Sequence, residues 1–311
     1  MALLARHVVQ QRGMVAALGG IAVDALLQRF DRRAPHAVLP REPVTARVPS
    51  PSRSLVRDYL RYLGAAPEAY EGVIPPQLFP QWCLPLAART LRGLPLPLLK
   101  IVNSGCRLEN HAALHAGSAL HVSASLQSVD SDGARTVLRQ RIVTSQPSRG
   151  AALVAELRAV VPSGMPRQRK ARDPVRVPAD AERLTAWTLD RNAGRDFAWL
   201  TGDFNPIHWS PRYARAFGFE GALMHGFATM ARVFTGLERA LFNGRSGQLA
   251  VLDVRFTRPL TLPACVGLFV KDDAVFVGLA GEPAYLAGTF ETQVDAARAR
   301  NAPDAAREAV A

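Results

Sequence analysis

Hydrophobic and polar positions follow two kinds of spacing along this chain, helical first and strand-like afterwards. Leu55, Tyr59 and Leu63 recur at helical spacing and Gly64 follows them, so the sequence predicts a short amphipathic helix. A second helical stretch, residues 78–91, is apolar but interrupted by prolines. After it, four runs in which apolar and polar positions alternate, separated by turn residues, predict strands at residues 98–108, 119–129, 136–144 and 151–161.

The same order of elements returns in the second half of the chain. A strand at residues 184–189 and a short helix at 196–200 precede a long helix, predicted at 226–242 from a continuous apolar stripe. The stripe consists of Phe227, Met230, Ala231, Phe234, Leu237 and Leu241. Three or four strands finish this half, at residues 249–257, 265–270, 275–279 and 285–291.

Two successions of helices and antiparallel-type strands predict a duplicated α+β unit, with each long helix burying its apolar stripe against a sheet. A proline-rich, basic segment without hydrophobic period separates the halves and is interpreted as a linker. The predicted division is an N-terminal extension lying on the body (1–45), a first unit (46–162), the linker (163–178), a second unit (179–295) and a polar tail (296–311).

Composition narrows the class of protein. With 311 residues, 48% apolar and 21% charged, the chain matches soluble globular proteins of two ordinary domains. No apolar run reaches the 18–20 residues or so that span a membrane, and residues 14–27 imitate a signal peptide without a clean cleavage site. The three cysteines are far apart and form no metal spacing, which favours a reducing, cytoplasmic location.

The net charge of +12 comes almost entirely from scattered arginines. Only residues 167–172 form a basic cluster, and no basic stripe with interleaved aromatics accompanies it, so the sequence argues against nucleic-acid binding. A basic surface would still attract an acidic partner, such as a phosphorylated cofactor or an acidic acyl carrier protein.

One short segment gathers polar side chains in a loop of fixed shape. Asp203, Asn205 and His208 fall within six positions. Gly202 can turn the chain ahead of Asp203, and Pro206 keeps Asn205 out of helical conformation. Side chains in such a loop can be aimed at a ligand, so the segment is the candidate catalytic site.

The long predicted helix begins at Gly226, which makes its backbone N–H a candidate oxyanion donor. Free N–H groups and the helix dipole favour negative charge at a helix N-terminus. Glycine there would also let a substrate approach closely. The neighbouring His225 is interpreted as a structural residue at the helix start.

These positions form a signature with fixed spacing. It consists of Gly202-Asp203-x-Asn205-Pro206-x-His208-x-x-Pro211, Gly218-Phe219, His225-Gly226 and Val254-x-Phe256-x-x-Pro259-Leu260. The signature resembles that of MaoC-like (R)-specific enoyl-CoA hydratases and 3-hydroxyacyl-thioester dehydratases, over roughly residues 196–263. The resemblance implies a double hotdog fold, in which each antiparallel sheet wraps a central helix. It also implies that the first unit, which contains no Asp-x-Asn-Pro-x-His, helps to form the acyl-chain tunnel.

The activity implied by the resemblance is interconversion of trans-2-enoyl and (R)-3-hydroxyacyl thioesters. Asp203 and His208 would hold the water that attacks C3, with their individual acid and base roles left open. By the resemblance, Asn205 supports the loop or the water. No metal or redox cofactor is expected, and CoA or phosphopantetheine enters only as part of the thioester substrate.

Several alternatives stay open from the sequence. The chain could be a non-catalytic acyl-thioester-binding subunit or a hotdog thioesterase, and a homodimer is a further open alternative. Asp203 could merely cap a turn, and His208 could be a structural loop histidine. His111, His115 and His121 resemble a metal site only superficially, because no carboxylate completes one.

Overall fold

The first half of the chain folds into two helices and long antiparallel strands. In the computed structural model, the described residues are 6–11, 13–14, 42–97, 101–133, 135–147, 149–162 and 173–301. Helix α1 (Arg53–Leu63) begins where Ser52 Oγ accepts the Leu55 N–H, and it ends at Gly64 in the left-handed conformation. Helix α2 (Pro80–Thr90) follows. The strands of this half are β1 (Val44–Val48), β2 (Val73–Ile74), β3 (Val102–Asn110), β4 (Leu114–His115), β5 (Leu120–Ser131), β6 (Arg135–Gln146) and β7 (Arg149–Pro162).

The second half has a longer helix and shorter strands. Its helices are α3 (Ala193–Thr201), α4 (Pro211–Ala216), α5 (Gly226–Leu241) and α6 (Gln293–Asn301). A 3-10 helix, Pro206–His208, lies between α3 and α4. Its strands are β8 (Glu182–Leu189), β9 (Leu249–Phe256), β10 (Ala264–Lys271), β11 (Ala274–Gly278) and β12 (Leu286–Thr292).

Within the described residues, ten of these strands form one antiparallel sheet in the order β1-β5-β6-β7-β3-β9-β12-β11-β10-β8. Strands β2 and β4 pair separately. The two halves of the large sheet join where β3 pairs with β9, with Cys106 opposite Val254. Across this seam, Arg158 donates to the carboxylate of Asp253 and to the Val254 carbonyl. Each half therefore contributes five strands to a continuous α+β structure.

Each half of the sheet packs against its own helix. Helix α2 contacts β1, β5 and β6, and α5 contacts β8, β9 and β3. The apolar stripe of α5 is buried from Phe227 to Leu237, as the periodicity predicts, but Leu241 is exposed. Leu241 is the last residue of the helix, so the stripe extends one turn beyond the core.

Two predicted boundaries need correction. Strand β1 begins at Val44, inside the predicted extension 1–45, and pairs with β5. The prolines before it hide its short alternation. The tail predicted at residues 296–311 begins inside helix α6, whose first turn is fixed by reciprocal hydrogen bonds between Thr292 and Asp295. Residues 302–311 lie outside the described part of the chain.

The predicted linker is described only from residue 173 onwards. Its end packs on the second half, because Val177 is fully buried and donates its N–H to the Glu282 carbonyl. The expectation that the N-terminal extension lies on the body holds for its described residues, which include a 3-10 helix, Arg6–Gln11, with His7 and Gln11 buried. No helix among the described residues is long and apolar enough to span a membrane.

A buried polar cluster ties the C-terminal part of α5 to the first half of the chain. Glu238 is 2% exposed and accepts hydrogen bonds from the Tyr70 hydroxyl and from the Gly247 N–H. Gln77 Nε2 donates to Tyr70 Oη at 3.0 Å and to Thr235 Oγ1 at 3.1 Å. Because the carboxyl group has left water, burial raises the pKa of Glu238 from 4.5 to about 7.

We predict that this carboxyl group makes stability depend on pH. The folded chain binds the Glu238 proton more tightly than the unfolded chain, so the stabilisation is complete below pH 4.5 and is lost as pH rises to about 7. This pKa shift corresponds to a change of about 3 kcal/mol in the free energy of unfolding. The unfolding free energy, measured by urea denaturation, should therefore fall less between pH 5 and pH 8 for Glu238→Gln than for the wild type. The exposed-site variant Glu68→Gln is the control, and equal pH dependence in all three proteins would contradict the prediction.

Candidate active site

The polar loop is shaped by the way that α3 ends. Gly202 adopts the left-handed conformation, with φ 85°, and donates its N–H to the Ala198 carbonyl at 2.8 Å. This turn is readily available to glycine and sends the chain directly into Asp203. Asn205 Oδ1 then accepts the Ile207 N–H at 3.2 Å and caps the 3-10 helix that carries His208. The Asn205 side chain thus supports the loop.

His208 is held from two sides. Its Nδ1 lies 3.0 Å from the Leu223 carbonyl oxygen. Since a carbonyl only accepts, Nδ1 carries the hydrogen of the neutral ring and Nε2 keeps a free lone pair. On the other side, a Cβ at Gly194 would lie 2.1 Å from the His208 carbonyl oxygen, so only glycine lets α3 approach this closely. His208 therefore presents Nε2 as a proton acceptor from a fixed position.

His225 joins the loop to the start of α5. Its side chain is 1% exposed, and its Nε2 lies 3.0 Å from the backbone oxygen of Asp203. The ring stacks on His208 with 3.6 Å between centroids and 24° between planes. Since the Asp203 backbone oxygen only accepts, Nε2 of His225 donates the hydrogen, and its Nδ1 is a buried nitrogen without a hydrogen-bond partner among the described residues. His225 thus contacts both candidate catalytic residues without itself having a free proton to give.

Both imidazoles are disposed to be neutral. Burial lowers the pKa of His208 below its ordinary value, and the nearby Asp203 carboxylate only partly offsets this effect. Burial also lowers the pKa of His225 well below the ordinary value, and the adjacent His208 lowers it further. Because burial disfavours the charged ring, His208 can accept a proton only transiently.

Gly226 lies where the sequence predicts an oxyanion donor. It is the first residue of α5, and N–H groups of a first helical turn have no partner inside the helix. A Cβ at Gly226 would lie 2.6 Å from the Phe256 ring. The structure thus adds a second reason for glycine at this position, which is the packing of the Phe256 ring, and close approach of a substrate stays a prediction.

These groups border a cavity of about 490 Å³. The candidate residues Asp203, Asn205, His208 and Gly226 all line it, together with His225. The remaining wall is mainly apolar and comes from both halves of the chain. From the first half it includes Leu84, Ala87, Ala88, Leu91, Ile101 and Leu157. The cavity therefore combines a polar region with room for an apolar chain.

Sequence reasoning missed one cavity residue outside the two units. Met14 lines the cavity and is 5% exposed. It lies in the extension, next to a short 3-10 helix, where no hydrophobic period could indicate a role. Its position follows from tertiary contacts alone.

A metal ion is not favoured by the geometry of the site. Ligand atoms of Asp203, His208 and His225 lie within 4.8 Å of one another, one such group in the described residues. Imidazole lone pairs lie in the ring planes, however, and the two stacked rings direct them side by side rather than towards one point. The absence of a metal cofactor stays a prediction.

Comparison with known proteins places this site in a family context. The family described as MaoC-like domain matches residues 164–271. The 3-hydroxyacyl-thioester dehydratase X of Mycobacterium tuberculosis is 38% identical over 78 residues, which are 25% of this chain and 26% of that protein. The match thus spans about a quarter of the relative's length.

Similarity of fold extends over most of the chain. The crystal structure of HtdX from Mycobacterium tuberculosis superposes with a TM-score of 0.65 at 20% identity, covering 80% of this chain and 99% of that one. A second mycobacterial protein, described as having a double hotdog fold, gives a TM-score of 0.53 at 12% identity and covers 81% and 97%. The expected fold class is confirmed. Residues 164–271 match the family described as MaoC-like domain, and the chain has a double hotdog fold.

Proposed function

We propose that the protein is a hydro-lyase that interconverts trans-2-enoyl and (R)-3-hydroxyacyl thioesters. One observation carries the proposal: a carboxylate, a proton-accepting imidazole and a helix N-terminus border the same largely apolar cavity. The stereochemistry follows from the similarity of the signature to MaoC-like dehydratases. The relative named a 3-hydroxyacyl-thioester dehydratase supports the same reaction class.

The loop is suited to hold a water molecule. An Asp203 oxygen and a ring nitrogen of His208 lie within 4.8 Å of each other, a separation that one water bridges with two hydrogen bonds of about 2.8 Å. In hydration, this water adds its oxygen to C3 and gives a proton to His208 Nε2, while Asp203 orients it. The protonated imidazole then releases the proton, because burial disfavours its charge. C2 is the acceptor, and dehydration reverses these steps.

The start of α5 is suited to stabilise the thioester oxygen. As C2 gains electron density, the thioester becomes enolate-like and its oxygen becomes negative. The Gly226 N–H lies at the positive end of a helix of 16 residues. Donors of this kind contribute roughly 3–4 kcal/mol to oxyanion stabilisation in other enzymes.

The same geometry weighs against the two alternatives. A binding-only subunit would not need His208 to present a free Nε2 beside a carboxylate. A thioesterase would need water aimed at the carbonyl carbon, whereas here the helix N-terminus and the Asp203–His208 pair are suited to act on different parts of one substrate. The hydro-lyase reaction makes use of all of these groups.

The thioester carrier and the cellular setting are also proposals. The basic net charge favours a phosphate-bearing carrier, either CoA or the phosphopantetheine of an acidic acyl carrier protein. Cys83 and Cys106 are buried free thiols, which suits a cytoplasmic enzyme. Association into a homodimer stays a prediction.

Replacing the two acid/base residues should remove turnover without unfolding the chain. We expect Asp203→Asn and His208→Ala each to lower kcat at least about 100-fold, the lower range for general acid–base catalysis. The measurement is the ultraviolet absorbance of trans-2-enoyl-CoA esters of short, medium and long chain.

His121→Ala is the matched control, because that histidine is exposed on β5 in the first half. It should keep the wild-type rate. Near-wild-type rates in both Asp203→Asn and His208→Ala would contradict the assignment of these residues to the active site.

The rate should also depend on pH in a specific direction. Because the pKa of His208 is lowered from 6.5, the neutral base persists below the pH at which a free histidine is protonated. We therefore expect the acid limb of kcat/KM to have its midpoint below pH 6.5. The measurement is kcat/KM as a function of pH, from rates at crotonyl-CoA concentrations below and above KM. A midpoint clearly above pH 6.5 would show that His208 is not the base.

A further inference from the structure

We propose that the N-terminal segment formed by residues 6–11 and 13–14 is part of the active site: Gln11 positions the catalytic loop, and Met14 forms the cavity wall that selects the acyl chain. This inference rests on the proposed hydro-lyase function. It assigns a role to a part of the chain that lies outside both repeated units and outside the matched domain at residues 164–271.

The segment is anchored to the first half of the chain at several points. His7 Nε2 lies 2.8 Å from Asp58 Oδ2, and Arg6 pairs with the same carboxylate on α1. The Ser52 N–H donates to Gln10 Oε1, and Gln81 of α2 donates to Gln11 Oε1 at 3.4 Å. His7 and Gln11 are each 1% exposed. Such buried, paired polar groups hold the segment in one place.

Gln11 reaches the helix that leads into the catalytic loop. Its Nε2 donates to the Leu200 carbonyl at 2.9 Å and to the Trp199 carbonyl at 3.4 Å. These carbonyls belong to the last turn of α3, where the helix supplies no donors of its own. Two residues later, the chain reaches Gly202 and then Asp203. Gln11 therefore fixes the end of α3 from which the Asp203 side chain projects.

Contact with Gly202 is direct. A Cβ at Gly202 would lie 3.0 Å from Met14 Cβ and 3.1 Å from Gln11 Oε1. The segment thus packs against the turn that aims Asp203. Gln11 is a positioning residue in this arrangement, because it acts on the site through the backbone of α3.

Met14 lines the cavity beside the turn at Gly202 that precedes Asp203. Its neighbour Gly13 lies close to α2, since a Cβ at Gly13 would lie 3.8 Å from Pro85 Cβ. Leu84, beside Pro85, begins the α2 part of the lining. A four-carbon acyl group would end near the reacting carbons, whereas a long chain that extends from the Asp203 loop along the α2 wall would run beside Met14. Met14 is therefore placed to discriminate by chain length.

The test of Met14 compares crotonyl-CoA with trans-2-dodecenoyl-CoA. Met14→Phe narrows the cavity at this point, so kcat/KM for the dodecenoyl ester should fall about tenfold more than for the crotonyl ester. Met14→Ala should change the ratio in the opposite direction. Val9→Ala is the control on the same segment, because Val9 is 56% exposed, and it should leave both rates as in the wild type. An unchanged ratio in Met14→Phe would overturn the assignment.

Gln11 is tested by Gln11→Leu, which keeps the size of the side chain and removes its donor. We expect kcat to fall about tenfold for both esters, with little change in KM and no change in the chain-length ratio. A purely structural role would lower the melting temperature but leave kcat of the folded protein intact. That second result would overturn the positioning role.

The two proposals fail in different ways. If the wild type turns over neither acyl group, whether presented as the CoA ester or on the phosphopantetheine of an acyl carrier protein, the hydro-lyase function is wrong, and Met14 is then judged by calorimetric binding of saturated butyryl-CoA and dodecanoyl-CoA. Met14→Phe should still weaken dodecanoyl-CoA binding about tenfold more than butyryl-CoA binding. Equal weakening, or no binding of either ester by the wild type, would overturn the Met14 inference.

Discussion

The hydrogen bond from His225 to the backbone oxygen of Asp203 is the contact on which the site depends. It joins the loop that carries the proposed acid/base residues to the helix that carries the proposed oxyanion donor, and the His225 side chain is almost completely buried. In a low-dielectric interior, such a bond is costly to break, because both partners would be left without water. The stacked His208 ring extends the same contact to the proposed base. Without this connection, the loop and α5 would be two separate features.

The duplicated architecture gives this site its apolar cavity. One half supplies the loop and α5, and the other supplies α2 and strands that close the apolar part of the cavity. The β3–β9 pairing makes the two halves one sheet, so the apolar walls of the cavity are fixed relative to the Asp203–His208 loop. The first half can therefore contribute to substrate selection without carrying any acid/base residue of the signature.

Long, regular elements were predictable from the sequence, whereas features that depend on tertiary contacts were not. The period of α5 and the Gly64 stop of α1 are local signals, and both predicted helices are present. Strand β1 is too short and too close to prolines to be recognised without its partner β5. The candidate residues were found from their spacing, but the orientation of His208 depends on Leu223, fifteen positions away. Met14 gave no signal, because only the folded chain brings the extension to the cavity.

The central claim is that water adds across the double bond of an enoyl thioester at the Asp203–His208 loop. The most direct test is proton NMR of crotonyl-CoA incubated with the wild-type protein in deuterium oxide. The account predicts 3-hydroxybutyryl-CoA with one deuterium at C2 and an intact thioester. Release of free CoA together with crotonate would indicate a thioesterase, and unchanged crotonyl-CoA alongside saturable binding would indicate a binding subunit. Either of those results would contradict the account.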